Sequence, residues 1–235
     1  MKKIPHVRII AVVGGSGAGK SWLVARLGQF LGRQACHVQL DDFYRDRSHL
    51  PPGRRRRINF DHPRAIDWTR LEKFLGRCLQ GRQTAMPHYE FKTHRVTRRD
   101  GWQLRPIVIM EGLWLLRRRR LRRYFDLKLF LDAPANLRCT RRVHRDVAER
   151  GFTAASVKQQ LAEHVLPEHA RYVEPQKRWA DLVLTQPYKK SELTTLADQL
   201  WALRGNQRGA AGEAPPPFRE RLTTLLSQPK QRQRK

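Results

Sequence analysis

Apolar and polar positions alternate along this chain in two recurring periods. Residues 7–13, VRIIAVV, form a β-branched apolar run too short for a helix, and they predict a strand buried on both faces. Residues 20–32 then place Leu23, Leu27, Phe30 and Leu31 at helical spacing. A second short strand is expected over 36–40, ending at the acidic pair Asp41-Asp42. Arg45 to Pro63 reads as an exposed loop, and 64–79 as a helix with Leu71, Phe74, Leu75 and Leu79 buried. Residues 88–105 predict a hairpin, with alternating chain up to Arg98 and its turn at Asp100-Gly101. Strands follow at 107–110, Leu127–Leu131 and Asp181–Leu184. A basic helical stretch covers roughly 134–171, and Leu193, Leu196, Leu200 and Leu203 mark a closing amphipathic helix.

Strands alternating with helices predict an α/β fold with a mainly parallel sheet. Beyond Gly205 the chain turns Gly/Pro/Ala-rich and ends in QPKQRQRK. Composition therefore divides it into a domain over 1–204 and a mobile basic tail over 205–235. Within that tail Phe218, Leu222, Leu225 and Leu226 are spaced for two helical turns, formed on the core or on a partner.

No apolar run approaches the roughly 18 residues of a membrane span. Lys2 and Lys3 before Ile9-Ile10-Ala11-Val12-Val13 imitate a secretory leader. That apolar run is short and leads directly into a glycine loop, so a cytoplasmic protein is expected. Cys36, Cys78 and Cys139 are odd in number and scattered, which fits no disulfide framework and no paired-cysteine metal site. The formal charge of +27 favours anionic partners. The runs Arg54–Arg57 and Arg117–Arg120 with Arg122-Arg123 leave nucleic-acid or acidic-surface contact open, beside the plainer reading of solvated charge.

The chemistry is concentrated in Gly14-Gly15-Ser16-Gly17-Ala18-Gly19-Lys20-Ser21, a GxxxxGK[ST] motif between a predicted strand and a predicted helix. Such a loop turns backbone N–H groups inward around phosphates. Lys20 is expected on the β- and γ-phosphates, and the Ser21 hydroxyl on Mg²⁺. Asp41 lies beyond the carboxyl end of its strand, where open α/β sheets bind ligands. It suits a base that accepts the proton of an attacking hydroxyl, with Asp42 as the alternative. Glu111 occupies the matching place after the strand at 107–110 and suits Mg²⁺, directly or through water. Arg138, Arg141, Arg142 and Arg145 share one helix face, which suits closure over a triphosphate.

The ordered set GGSGAGKS, LDDFYRD (40–46), NFDHP (59–63), PHYEFKTHR (87–95), VIMEGLW (108–114) and RRVHRDVAERG (141–151) resembles the uridine–cytidine kinase family, within the wider group that holds the phosphoribulokinases. The likeness covers roughly residues 5–203. It implies a three-layer P-loop NTPase fold like that of nucleoside monophosphate kinases, with a substrate-binding β-hairpin and a basic helical lid. It also implies transfer of the γ-phosphate of ATP, with Mg²⁺, to the 5′-hydroxyl of uridine or cytidine. Asp41 is then the base, and Ser21, Asp41 and Glu111 surround the metal. Asp61 holds the ribose hydroxyls, Tyr89 and His94 contact the pyrimidine, Gln160 matches a base-contacting glutamine, and Arg142 lies in the lid near both substrates. Phe152 stands where the family carries an arginine, and Asp42 where it carries a small residue. Other acceptors stay open: a phosphorylated pentose, nicotinamide riboside or pantothenate. So do a homo-oligomer and a degenerate P-loop domain that binds nucleic acid.

Overall fold

The computed structural model describes residues 6–55, 58–204 and 214–227. Its centre is a parallel sheet of β1 (Arg8–Gly14), β2 (Ala35–Gln39), β5 (Ile107–Gly112), β6 (Leu127–Asp132) and β7 (Leu182–Thr185), in the order β2-β5-β1-β6-β7. The remaining strands, β3 (Pro87–Glu90) and β4 (Arg95–Arg98), form an antiparallel hairpin apart from it. The main helices are α1 (Lys20–Leu31), α2 (Trp68–Leu79), α3 (Ala135–Arg150), α4 (Ala154–Gln160), α5 (Lys190–Arg204) and α6 (Pro216–Ser227).

Alternation along each strand builds two cores. Ile9, Ala11 and Val13 of β1 face one cluster with Val108 and Met110 of β5, covered by α2 and the hairpin. Ile10 and Val12 face the opposite cluster with Ile107 and Ile109, covered by α1, α5 and α6. Successive side chains of a strand point to opposite faces, so a sheet clad on both sides needs the unbroken apolar runs seen here. Because β1 sits between β5 and β6, the direction of strand order reverses at its carboxyl end. That crevice is where an open α/β sheet receives ligands.

The hairpin departs from expectation. Its strands pair Pro87 with Arg98 and Glu90 with Arg95, so the turn is Phe91–His94 rather than Asp100-Gly101. His94 adopts a left-handed φ of 58°, and its N–H bonds the Glu90 carbonyl at 2.8 Å. Asp100-Gly101 makes a separate turn after β4. Helix α2 starts at Trp68, not at residue 64, because the Asp67 carboxylate caps the Arg70 N–H. Leu79, expected in the buried stripe, is exposed, while Trp68 and Cys78 are buried. The basic region at 134–171 is not one helix: Gly151 takes a left-handed conformation at the end of α3, and α4 begins after it, capped by Thr153.

The expected division at residue 204 also requires correction. Helix α6 lies against α1 and α5, with Phe218, Leu222 and Leu226 buried in the second core. Phe218 meets Phe30 and Trp201 edge-on, with ring centroids 4.7 and 5.0 Å apart. Arg219 pairs with both oxygens of Asp198 at 2.8 and 2.9 Å. Residues 214–227 are therefore part of the packed structure rather than a mobile tail. Burial of three large apolar side chains, worth ~1.5–3 kcal/mol each, outweighs the Gly/Pro-rich composition that precedes them. The rest of that expected tail, 205–213 and 228–235, lies outside the described residues, as do Arg56 and Arg57 of the first basic run and Lys2 and Lys3.

Candidate active site

The loop Gly14–Ser21 joins the end of β1 to the start of α1. Gly17 has a φ of +77°, and a β-carbon there would collide with the backbone carbonyl of Arg138, so the lid helix rests directly on the glycine loop. Lys20 Nζ donates to the carbonyls of Gly14 and Gly15, each at 3.0 Å. Burial lowers the pKa of this ammonium, and Arg145 and Arg138 add to the effect, while Glu111 and Asp41 oppose it.

Glu111, at the end of β5, is buried and accepts a hydrogen bond from Ser21 Oγ at 2.9 Å through Oε2. Its Oε1 lies 2.9 Å from His37 Nε2 without hydrogen-bond alignment, so this buried oxygen has no bonded partner. Asp41 follows β2. Burial pushes its carboxyl up to about 6 against the pull of Lys20, and Glu111 and Asp42 push further in the same direction. Two carboxylates and a hydroxyl are hard oxygen donors, the chemistry Mg²⁺ takes when phosphate oxygens complete its shell. Glu111, bonded to Ser21 through Oε2 and with no aligned donor on its buried Oε1, fits such an ion.

Asp42, the alternative base, faces elsewhere. It is buried and accepts from Arg99 Nη2 at 2.8 Å and from the Tyr89 N–H at 3.4 Å, with His88 Nδ1 at 3.2 Å. Adjacent aspartates thus divide their work: Asp41 lies in the field of Lys20 and Glu111, while Asp42 ties the hairpin to the end of β2. Asp46 adds a second tie, accepting from the Val96 N–H at 2.9 Å.

The hairpin forms an aromatic wall. Tyr89 is buried among Tyr44, Phe60 and Phe91, and its hydroxyl meets His94 Nδ1 at 3.1 Å. His94 stacks on Phe60, with centroids 5.6 Å apart and planes at 21°. Tyr89 therefore holds His94 in place, and Phe60, which lies in NFDHP without a role assigned to it, completes the wall.

The lid contributes Arg142, which is buried although charged. Its guanidinium donates to Ser16 Oγ at 3.1 Å, to Asp61 Oδ1 at 3.1 Å and Oδ2 at 3.4 Å, and to Gln160 Oε1 at 3.0 Å. Ser16, Asp61 and Gln160, far apart in the chain, meet at this one fork. Asp146, buried on the same helix, is 3.3 Å from Arg142 Nε, 2.8 Å from Arg145 Nε and 3.3 Å from Arg150 Nη1. Arg138 is buried next to Gly15 and donates to the Ala133 carbonyl at 3.0 Å. Arg141 points to the other side of the loop, donating to Gln186 Oε1 at 2.6 Å and to the Gly17 carbonyl at 3.4 Å. Phe152 projects past the end of α3 and is 54% exposed. Asp146 lies within RRVHRDVAERG without a role assigned to it there, and His37 belongs to no motif with a chemical spacing rule.

A parallel sheet with β1 at its centre, a glycine loop closing on Lys20 and Ser21, and an arginine-lined lid over that loop define a P-loop phosphotransferase fold. The putative fructose transport system kinase from Silicibacter sp. TM1040 superposes with a TM-score of 0.63 at 22% identity, covering 78% of this chain and 92% of its own. The phosphoribulokinase from Rhodobacter spheroides does so with a TM-score of 0.58 at 21% identity, covering 77% and 70%. The chain belongs to the Phosphoribulokinase / Uridine kinase family, whose model matches residues 9–191. A uridine kinase of Deinococcus deserti is 40% identical over 183 residues, covering 76% of this chain and 88% of its own. A uridine kinase of Brevibacillus brevis is 35% identical over 196 residues, covering 82% and 91%. Among the described residues, no helix is long and apolar enough to cross a membrane.

Proposed function

We propose that this protein transfers the γ-phosphate of ATP to the 5′-hydroxyl of a pyrimidine ribonucleoside in the cytoplasm, in nucleoside salvage. The meeting of Asp61, Arg142, Gln160 and Ser16 carries the proposal, because it joins the phosphate loop to a half-buried carboxylate suited to a ribose diol. The relatives named uridine kinase support the same reading.

In this reading the acceptor lies between the hairpin wall and the lid. Asp61 accepts from the 2′- and 3′-hydroxyls, and the stacked pair Phe60–His94 presents a flat face to the base. Asp41 takes the 5′-hydroxyl proton. Ser21, Glu111 and Asp41 would hold Mg²⁺, which supplies charge neutralisation at the phosphates. Lys20 leaves the loop carbonyls for the β- and γ-phosphate oxygens, and Arg138, Arg142 and Arg145 counter the charge that develops in transfer.

A coupled assay of ADP release tests the reading across uridine, cytidine, their 2′-deoxy forms, nicotinamide riboside, pantothenate and ribulose 5-phosphate. Uridine or cytidine should show the highest kcat/KM. A higher value for a non-nucleoside would remove the acceptor assignment and leave the kinase chemistry standing.

A further inference from the structure

On the flank of the P-loop away from Asp41 and Asp61 lies a cavity of about 500 Å³. Gly19 and Trp22 line it from the loop and α1, Arg141 from the lid, and Gln186 and Tyr188 from the turn between β7 and α5. Leu226 and Ser227, the last two residues of α6, form a further wall. That wall lies outside residues 9–191, which the family model matches.

The phosphates of a bound nucleotide occupy Gly14–Ser21, so the rest of the nucleotide must leave the loop to one side. The acceptor flank is taken by Arg142, Asp61 and Gln160. The opposite flank offers what a flat heterocycle and a sugar require. The Trp22 and Tyr188 rings lie near-parallel, with centroids 6.1 Å apart and planes at 27°, and Arg141 and Gln186 supply polar groups beside them. Pockets of roughly 300–1,000 Å³ suit small ligands, and this one is within that range.

The position of α6 is fixed relative to the loop. Phe218 packs on Phe30 of α1, the helix that begins at Lys20, and Arg219 is clamped to Asp198 of α5. We propose that the C-terminal helix is a working wall of the donor site, so that Leu226 and Ser227 set the affinity for the nucleoside part of ATP. The inference rests on the kinase reading. It adds that a segment beyond the family-matched residues tunes donor binding without touching the transferred phosphate.

Calorimetric titration of the full chain with ADP tests this without any acceptor. Ser227 is exposed, so Ser227→Trp fills the cavity mouth without burdening the core. That variant should melt like the parent, bind ADP about tenfold more weakly, and raise KM for ATP while KM for the nucleoside holds. Leu226→Ala, which enlarges the cavity, should reduce the preference for ATP over a pyrimidine triphosphate donor. If Leu226→Ala does not fold, Ser227→Trp decides alone. ADP affinity within twofold of the parent in a folded Ser227→Trp overturns the inference. A parent that binds ADP yet phosphorylates no nucleoside removes only the acceptor assignment, and a parent that binds no ADP removes both.

Discussion

Arg142 and Asp61 form an ion pair of 3.1 Å in which the arginine is buried, bridging the lid to the loop that follows the first basic run. The carboxylate suited to a ribose diol is thereby held by a guanidinium that also touches Ser16 of the phosphate loop. An arriving diol shares that carboxylate with Arg142 or displaces it. Asp61→Ala should therefore lower kcat/KM for uridine by ~10²-fold and leave ADP affinity near that of the parent. Arg142 keeps Asp146 as a carboxylate partner in this variant, 3.3 Å from its Nε. Equal kcat/KM in variant and parent would detach Asp61 from the acceptor. The same variant should narrow the discrimination against 2′-deoxyuridine, since a site that bonds a hydroxyl rejects the analogue lacking it.

As the proposed base, Asp41 would supply a pH dependence. Its carboxyl is raised to about 6, so the free enzyme holds it increasingly protonated below that pH. The kcat/KM for the nucleoside should fall as pH drops through 6, because the base must be ionised. Asp41→Asn should lower turnover by ~10²–10⁴-fold, the usual range for loss of a general base. A profile flat from pH 5 to 7 would move the base elsewhere.

Stability carries the opposite sign. A carboxyl raised from 3.8 to about 6 binds its proton more tightly in the folded state. The folded state therefore loses stability as pH rises from about 4 through 6. Asp41→Asn removes that cost. It should melt above the parent at pH 7.5, with the gain shrinking as pH falls from 6 toward 4. A variant less stable than the parent at pH 7.5 would contradict this.

Asp42 should behave differently from its neighbour. Asp42→Asn weakens the tie to Arg99 and His88 and loosens the hairpin. The expected result is a raised KM for the nucleoside with kcat at saturation within about threefold, against the collapse of kcat in Asp41→Asn. Steady-state kinetics on the two variants side by side separates base from anchor.

Truncation after Arg204 should destabilise the core, because α6 buries Phe218, Leu222 and Leu226. Phe218→Ala alone should cost about 3 kcal/mol, in line with large-to-small core changes. That lowers Tm by roughly 6–12 °C for a chain of this size. Thermal melts of both proteins provide the check, and a truncated chain that melts like the parent would show that the helix contributes nothing.

What the sequence revealed follows from the range of the forces involved. The loop Gly14–Ser21 was legible because its geometry is local: the left-handed turn at Gly17 and the lysine of the motif are adjacent in the chain. Ile9 to Val13 were legible because alternation on a doubly covered strand leaves an unbroken apolar run. The hairpin turn was misplaced because cross-strand pairing of Tyr89 with Val96 decided it, outweighing a strong local signal at Asp100-Gly101. The docking of α6 depends on Phe30 and Trp201, which are distant in the chain, and the intervening glycines and prolines obscured it. The residues alone left Asp42 open as an alternative to Asp41, since what Asp42 does depends on Arg99 and His88, which are distant in the chain.

Arg141 and Arg142 are consecutive on one rigid helix and reach to opposite flanks of the phosphate loop, one to Gln186 and the other to Asp61. Neither arginine can be repositioned by a movement of that helix without carrying the other along. Any shift of that helix would therefore be felt on both flanks of the phosphate loop at once, through two side chains one residue apart.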